Sequence, residues 1–120
     1  MPRIVHFEIP ADEPERAVKF YENVFGWQIN KWGREFSYWL IKTGEKDEPG
    51  IDGAIMLKND FPVVRDTISV DSVDECIEKI QEEGGEIAMP KKSIPGVGSI
   101  AFFRDTEENI FGIIEMMPME

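Results

Sequence analysis

The chain has 120 residues, the length of one domain, and 42% of them are hydrophobic, enough for a packed core. Thirteen Lys and Arg against 24 Asp and Glu give a net charge of −11, which sets aside nucleic acid and anionic membrane surfaces as partners. No apolar run nears the ~20 residues of a membrane helix, MPRIVHFEIP has no signal-peptide core, and Cys76, the single cysteine, excludes an intrachain disulfide and a Cys-rich zinc site. The expectation is one cytoplasmic domain spanning residues 1–120.

Arg3–Ile9 alternates, with Val5, Phe7 and Ile9 on an apolar face and His6 and Glu8 on the other, which predicts a strand. A helix follows, with Asp12 as N-cap, Glu15 as its capping-box partner, Pro14 in the first turn and Gly26 as the stop. Its apolar stripe is Ala17, Phe20, Tyr21 and Val24. Trp27–Lys31, Phe36–Lys42 and Gly53–Lys58 are strand candidates, Thr43–Asp52 reads as a loop, and Asn59–Val63, with Pro62, reads as a connection. The pattern then restarts. Asp66–Asp71 is a strand with Ile68 and Val70 on one face. Ser72 and Glu75 open a helix carrying Val73, Cys76, Ile77 and Ile80, and Gly84-Gly85 closes it. Glu86–Met89, Ser99–Arg104 and Ile110–Met116 are strands, and Pro90–Gly98 is a loop.

The order β-α-β-β-β thus recurs after about 60 residues, a duplication of pattern with few shared identities. It predicts an α+β fold. Two βαβββ modules, one over about residues 1–60 and one over about 61–120, form a curved sheet around a cleft with the helices outside. Such a cleft is where a small molecule would bind.

His6 is the sole histidine and lies on the predicted cleft face. Three readings stand open for it: a hydrogen-bonded cleft residue, a general base or substrate donor, since imidazole suits proton transfer near neutrality, and a metal ligand. Glu8, two residues on, shares that face. It either assists His6 or reaches water at the strand end. Adjacent residues of a strand cannot share a face, so only one of Tyr38 and Trp39 points into the cleft; Trp39 is taken for the pocket. Glu115 falls on the face opposite Gly112 and is not taken as a ligand. Cys76, on the helix stripe, reads as a small buried filler rather than a nucleophile. The loop Ile94–Ser99 has no phosphate-loop motif and reads as a hairpin connection or a lid. Met116, Met117 and Met119 form an apolar tail suited to a subunit contact.

The segments VHFEIPADEPERAVKFYENVFGW, ISVDSVDECIEKIQEEGGEI and FFRDTEENIFGIIE, in this order, resemble the vicinal oxygen chelate superfamily of glyoxalase I, bleomycin-resistance proteins and extradiol dioxygenases. The resemblance spans essentially the whole chain and is nearest to a glyoxalase-related subgroup. Thr106 and Glu108 replace the usual Pro and Gly of the family's closing turn. The resemblance implies a divalent metal on four cleft-facing strands, a small oxygenated substrate and a homodimer. The matching positions are His6, Met56, Arg65 or Asp66, and Gly112. His6 and Asp66 can ligate. A thioether suits hard divalent ions poorly and glycine offers nothing. The expected set is therefore His6 and Glu8 as catalytic residues, His6 and Asp66 as metal residues, and Trp39, Met56, Phe102 and Gly112 as pocket. Two functions follow from the resemblance. One is a lyase, isomerase or oxygenase of the superfamily with an incomplete metal site. The other is a metal-free protein that binds or sequesters a small molecule in the bleomycin-resistance manner.

Overall fold

The computed structural model describes residues 2–33, 37–58 and 62–117. Phe36 at the expected start of a strand, residues 59–61 of the expected connection and Met119 of the tail lie outside them. The elements are β1 (Arg3–Ala11), α1 (Pro14–Phe25), β2 (Gln28–Lys31), β3 (Tyr38–Lys42), β4 (Gly53–Leu57), β5 (Arg65–Ser69), α2 (Val73–Glu82), β6 (Glu86–Ile94), β7 (Gly98–Arg104) and β8 (Ile110–Met116). This is an α+β fold of two successive βαβββ modules. The chain forms two compact units, His6–Arg65 and the remainder.

In the first unit the strands run in the order β2-β3-β4-β1. β2, β3 and β4 pair antiparallel, while β4 joins β1 in parallel, with Phe7 opposite Gly53 and Pro10 opposite Met56. Alternation in β1 sends Phe7, Ile9 and Ala11 toward α1, where Ile29, Ile41 and Ile55 complete a core against Ala17, Val18, Tyr21, Trp27 and Trp39. Trp27 stacks on Tyr21 at 5.3 Å between ring centroids. The same alternation leaves His6 and Glu8 on the opposite face of the sheet.

Helix α1 departs from expectation in two ways. Its N-cap is Glu13, which makes no side-chain cap hydrogen bond, and the Asp12 carboxylate instead pairs with Lys58 at 3.1 Å. Its buried stripe runs through Ala17, Val18 and Tyr21, so Phe20 and Val24, expected inside, are exposed along with Phe25. Gly26 ends the helix in the left-handed conformation, as its position implied.

In the second unit the order is β5-β8-β7-β6. Val73, Ala101 and Ile113 form its core with Ile68, Val70, Cys76, Ile77, Ile80 and Phe103. Burial pushes the Cys76 thiol up, with Lys79 only partly opposing, so the thiolate is disfavoured at this packed position. Ser72 caps α2, its Oγ accepting from Glu75 N at 3.2 Å. Glu115 adds to this cap: its Oε1 accepts from Val73 N at 3.0 Å, placing a carboxylate at the helix's positive end.

The segment Pro90–Gly98, expected as a loop, is largely strand. β6 runs through Pro90 to Ile94, and only residues 95–97 turn. β6 is at the end of the unit's strand order and carries register shifts on either side of Met89, so Pro90 needs no ladder N–H. Residues 95–97 are therefore the tight turn of a β6–β7 hairpin. In the closing turn the Asp105 carboxylate accepts from Glu107 N at 2.8 Å and Asn109 N at 2.9 Å. Glu108 takes φ 67°, the left-handed conformation that a glycine would adopt without strain.

Candidate functional site

The chemistry-bearing side chains of the first unit converge on Glu8. Alternation places Glu8 on the sheet face away from α1, beside Tyr38 of β3 and Met56 of β4, which stand opposite each other in register. Tyr38 donates its hydroxyl to Glu8 Oε2 at 2.8 Å, and His6 Nε2 lies 2.9 Å from the same hydroxyl oxygen. Arg65 Nη2 donates to Glu8 Oε1 at 3.0 Å and sits 3.3 Å from Met56 Sδ. The Arg65 side chain is 1% exposed, Glu8 11% and His6 29%. The imidazole is thus the open end of a network whose other end is an enclosed ion pair.

Burial alone would raise the Glu8 pKa. The imidazole 3.8 Å away, the Tyr38 hydroxyl and the Arg65 guanidinium outweigh that and hold it below the usual carboxylate range. Tyr38 is pushed up, by burial first and by the Glu8 charge second, so it remains a neutral donor. A lowered carboxylate pKa adds stability above the unfolded value of ~4.3, and this is lost as pH falls through the folded value. Urea unfolding of wild type and Glu8→Gln is therefore expected to show a stability gap that is full near neutral pH and narrows as pH falls below about 4. A gap that stays constant with pH would contradict an ionised, network-held Glu8.

A divalent metal does not fit the residues present. Of the positions matched by resemblance, Met56 offers a soft thioether and Arg65 a guanidinium with no lone pair to donate. At Gly112 a Cβ would meet the Phe102 ring at 3.1 Å and Thr67 Oγ1 at 3.1 Å, so there is little room for a ligating side chain. Among the described residues no three His, Cys, Asp or Glu gather into a group able to hold a metal ion.

Several expected site residues take different places. Asp66, expected as a ligand, shares its strand face with Ile68, which packs on α2, whereas Arg65 and Thr67 are buried on the other face. Trp39, expected in the pocket, packs in the α1 core with Lys31 Nζ 5.3 Å from its ring, because β3 turns Tyr38 to the Glu8 face. Phe102, by contrast, lies on the β7 face away from the α2-packed Ala101 and Phe103, buried against the other expected pocket residue, Gly112. His6, Glu8 and Met56 meet as described.

Sequence reasoning passed over Tyr38 and Arg65. Arg65 was legible: Ile68 and Val70 fix one face of β5, which puts Asp66 with them and Arg65 opposite. Tyr38 was not, since both faces of Tyr-Trp-Leu-Ile are apolar enough to be buried. A groove of 410 Å³ lies elsewhere in this unit, between the end of β1 and the start of α1, lined by Asp12, Arg16, Phe20, Tyr21 and Lys58. Its charges are already paired, Lys58 with Asp12 and Arg16 with Glu13 at 2.7 Å.

Known proteins resemble this one in sequence and fold. A family model described as bleomycin resistance protein-like N-terminal matches residues 3–44. A glyoxylase-like domain-containing protein of Didymella fabae is 31% identical over 117 residues, covering 92% of this chain and 91% of that protein. The glyoxylase-named protein CFP32 of Mycobacterium bovis is 27% identical over 94% of this chain, which spans only 44% of its length. Among solved structures, the Streptomyces coelicolor methylmalonyl-CoA epimerase with bound 2-nitronate-propionyl-CoA superposes with a TM-score of 0.69 at 14% identity, over 98% of this chain and 96% of that one. A glyoxalase/bleomycin resistance protein/dioxygenase superfamily member from Vibrio splendidus gives 0.66 at 14% identity, over 94% and 97%. Two βαβββ modules, together with near full-length similarity to a glyoxylase-like protein, place this chain in the vicinal oxygen chelate superfamily, to which it belongs as a glyoxalase-like member.

Proposed function

We propose that this chain binds a small oxygenated molecule at His6 without a divalent metal. The observation that supports this is the Arg65 guanidinium, which bonds Glu8 and touches Met56, so a fixed cation already stands among the positions matched to the metal site. The epimerase that shares the fold carries a coenzyme A thioester analogue. A net charge of −11 disfavours so anionic a ligand here and favours a compact one. A second reading, proton transfer by His6, is favoured by the hydrogen bond that His6 makes to the Tyr38 hydroxyl, which orients the imidazole. The chain is proposed to act as a cytoplasmic homodimer of 120-residue domains. Exposed Phe20, Val24 and Phe25 on α1 offer apolar surface for a second copy.

Native mass spectrometry of protein purified without chelator, with His6→Ala alongside, tests the metal and the subunit count together. The expected species is a dimer that takes up no stoichiometric nickel, zinc or manganese. About one ion per chain, lost in His6→Ala, would overturn the metal-free reading. A thermal-shift screen of small hydroxy and keto acids is expected to yield ligands that stabilise wild type and leave His6→Ala unmoved.

A further inference from the structure

The network around Glu8 contains fewer protons than contacts, and this determines which nitrogen of His6 carries hydrogen. The Tyr38 hydroxyl oxygen has two short neighbours, Glu8 Oε2 at 2.8 Å and His6 Nε2 at 2.9 Å, but only one proton to give. Glu8 has none to offer, because the buried Arg65 donates to its other oxygen and keeps it ionised. If Tyr38 gave its proton to His6, two bare oxygens would face each other at 2.8 Å. Both contacts are satisfied only when Tyr38 donates to Glu8 and His6 donates from Nε2 to Tyr38.

We infer that Arg65, Glu8 and Tyr38 act as positioning residues that hold His6 in its Nε2-protonated form, leaving Nδ1 as the ring's acceptor for a ligand that presents a hydrogen-bond donor. The molecule proposed above would then carry a hydroxyl, an amide N–H or a hydrogen acidified by a neighbouring carbonyl. A ligand bearing only acceptors gains nothing from this ring. The inference rests on the reading of His6 as the contact residue, yet its test needs no ligand.

His6 is the only histidine, so long-range proton–nitrogen NMR on the whole chain gives one imidazole spectrum without assignment. Above neutral pH the expected result is a single tautomer, hydrogen on Nε2 and a pyridine-type nitrogen at Nδ1. Tyr38→Phe, which keeps the ring and removes the hydroxyl, is expected to release a mixture of tautomers. Predominant Nδ1–H in wild type would overturn the inference, and so would a spectrum that Tyr38→Phe leaves unchanged. If Tyr38→Phe does not fold, the wild-type spectrum still decides the tautomer, and Glu8→Gln replaces it as the variant expected to release the mixture. Metal uptake in the mass spectra would end the metal-free reading while leaving the tautomer of the metal-free protein as measured, so the two failures are separable.

Discussion

Arg65→Ala is expected to destabilise the protein by about 3–5 kcal/mol, the cost of breaking a buried ion pair by removing one partner. The guanidinium is 1% exposed and bonded to Glu8, which is itself 11% exposed, so truncation leaves a carboxylate with little access to water. The Tyr38 hydroxyl would remain on Glu8 Oε2, but no cation would balance the charge. The diagnostic comparison is Arg65→Ala with Glu8→Gln in one chain. A neutral amide in place of the stranded carboxylate should recover part of the loss, giving a coupling energy of about 0.5–3 kcal/mol in the double-mutant cycle. Urea unfolding measures all four species. A loss below about 1 kcal/mol, the range of solvent-exposed pairs, would mean that the pair is open to water and that Arg65 does not anchor the site.

Gly112→Glu puts a ligating carboxylate at a position that the family resemblance matches to the metal site, and it should fail to create one. A Cβ there meets the Phe102 ring and the Thr67 hydroxyl at 3.1 Å each, closer than ordinary van der Waals contact. Overpacking of this kind costs about 1–3 kcal/mol, and a buried carboxylate without a partner adds about 1–3 kcal/mol. The expected outcome is a destabilised protein that gains no nickel, zinc or manganese. Gly112→Ala separates the parts, since it meets the ring but adds no charge. Stoichiometric metal uptake by Gly112→Glu at wild-type stability would show that Phe102 yields easily and would overturn the metal-free reading.

The comparison of sequence with structure turns on where alternation has one solution. In β1, Phe7 and Ile9 are strongly apolar and His6 and Glu8 polar, so the face of each residue was legible and the core and candidate site were separated before any coordinates. In α2, Ser72, Glu75 and the terminal glycines marked both ends, and the structure adds only the Glu115 carboxylate to the cap. In α1 the expected stripe ran through Ala17, Phe20, Tyr21 and Val24; packing kept Ala17 and Tyr21, added Val18 and left Phe20 and Val24 exposed. Pro90 misled because proline ends strands in a sheet interior and is tolerated at an edge, and the sequence does not say which strand is the edge.

The sequence by itself determined the α+β class, the duplicated modules and the placement of His6 with Glu8 on one strand face. These follow from residue type and local period, which need no knowledge of distant neighbours. Alternation from Ile68 and Val70 separates Arg65 from Asp66, but only the tertiary structure decided that Arg65 reaches Glu8, that Tyr38 rather than Trp39 joins His6, and that Phe102 fills the place beside Gly112. The first two contacts join residues 57 and 32 positions apart, and for both a shift of one residue along a strand exchanges the faces. Hydrogen bonds and ion pairs depend on distances of a few ångströms between such residues, and those distances are set by strand register and packing rather than by any local pattern.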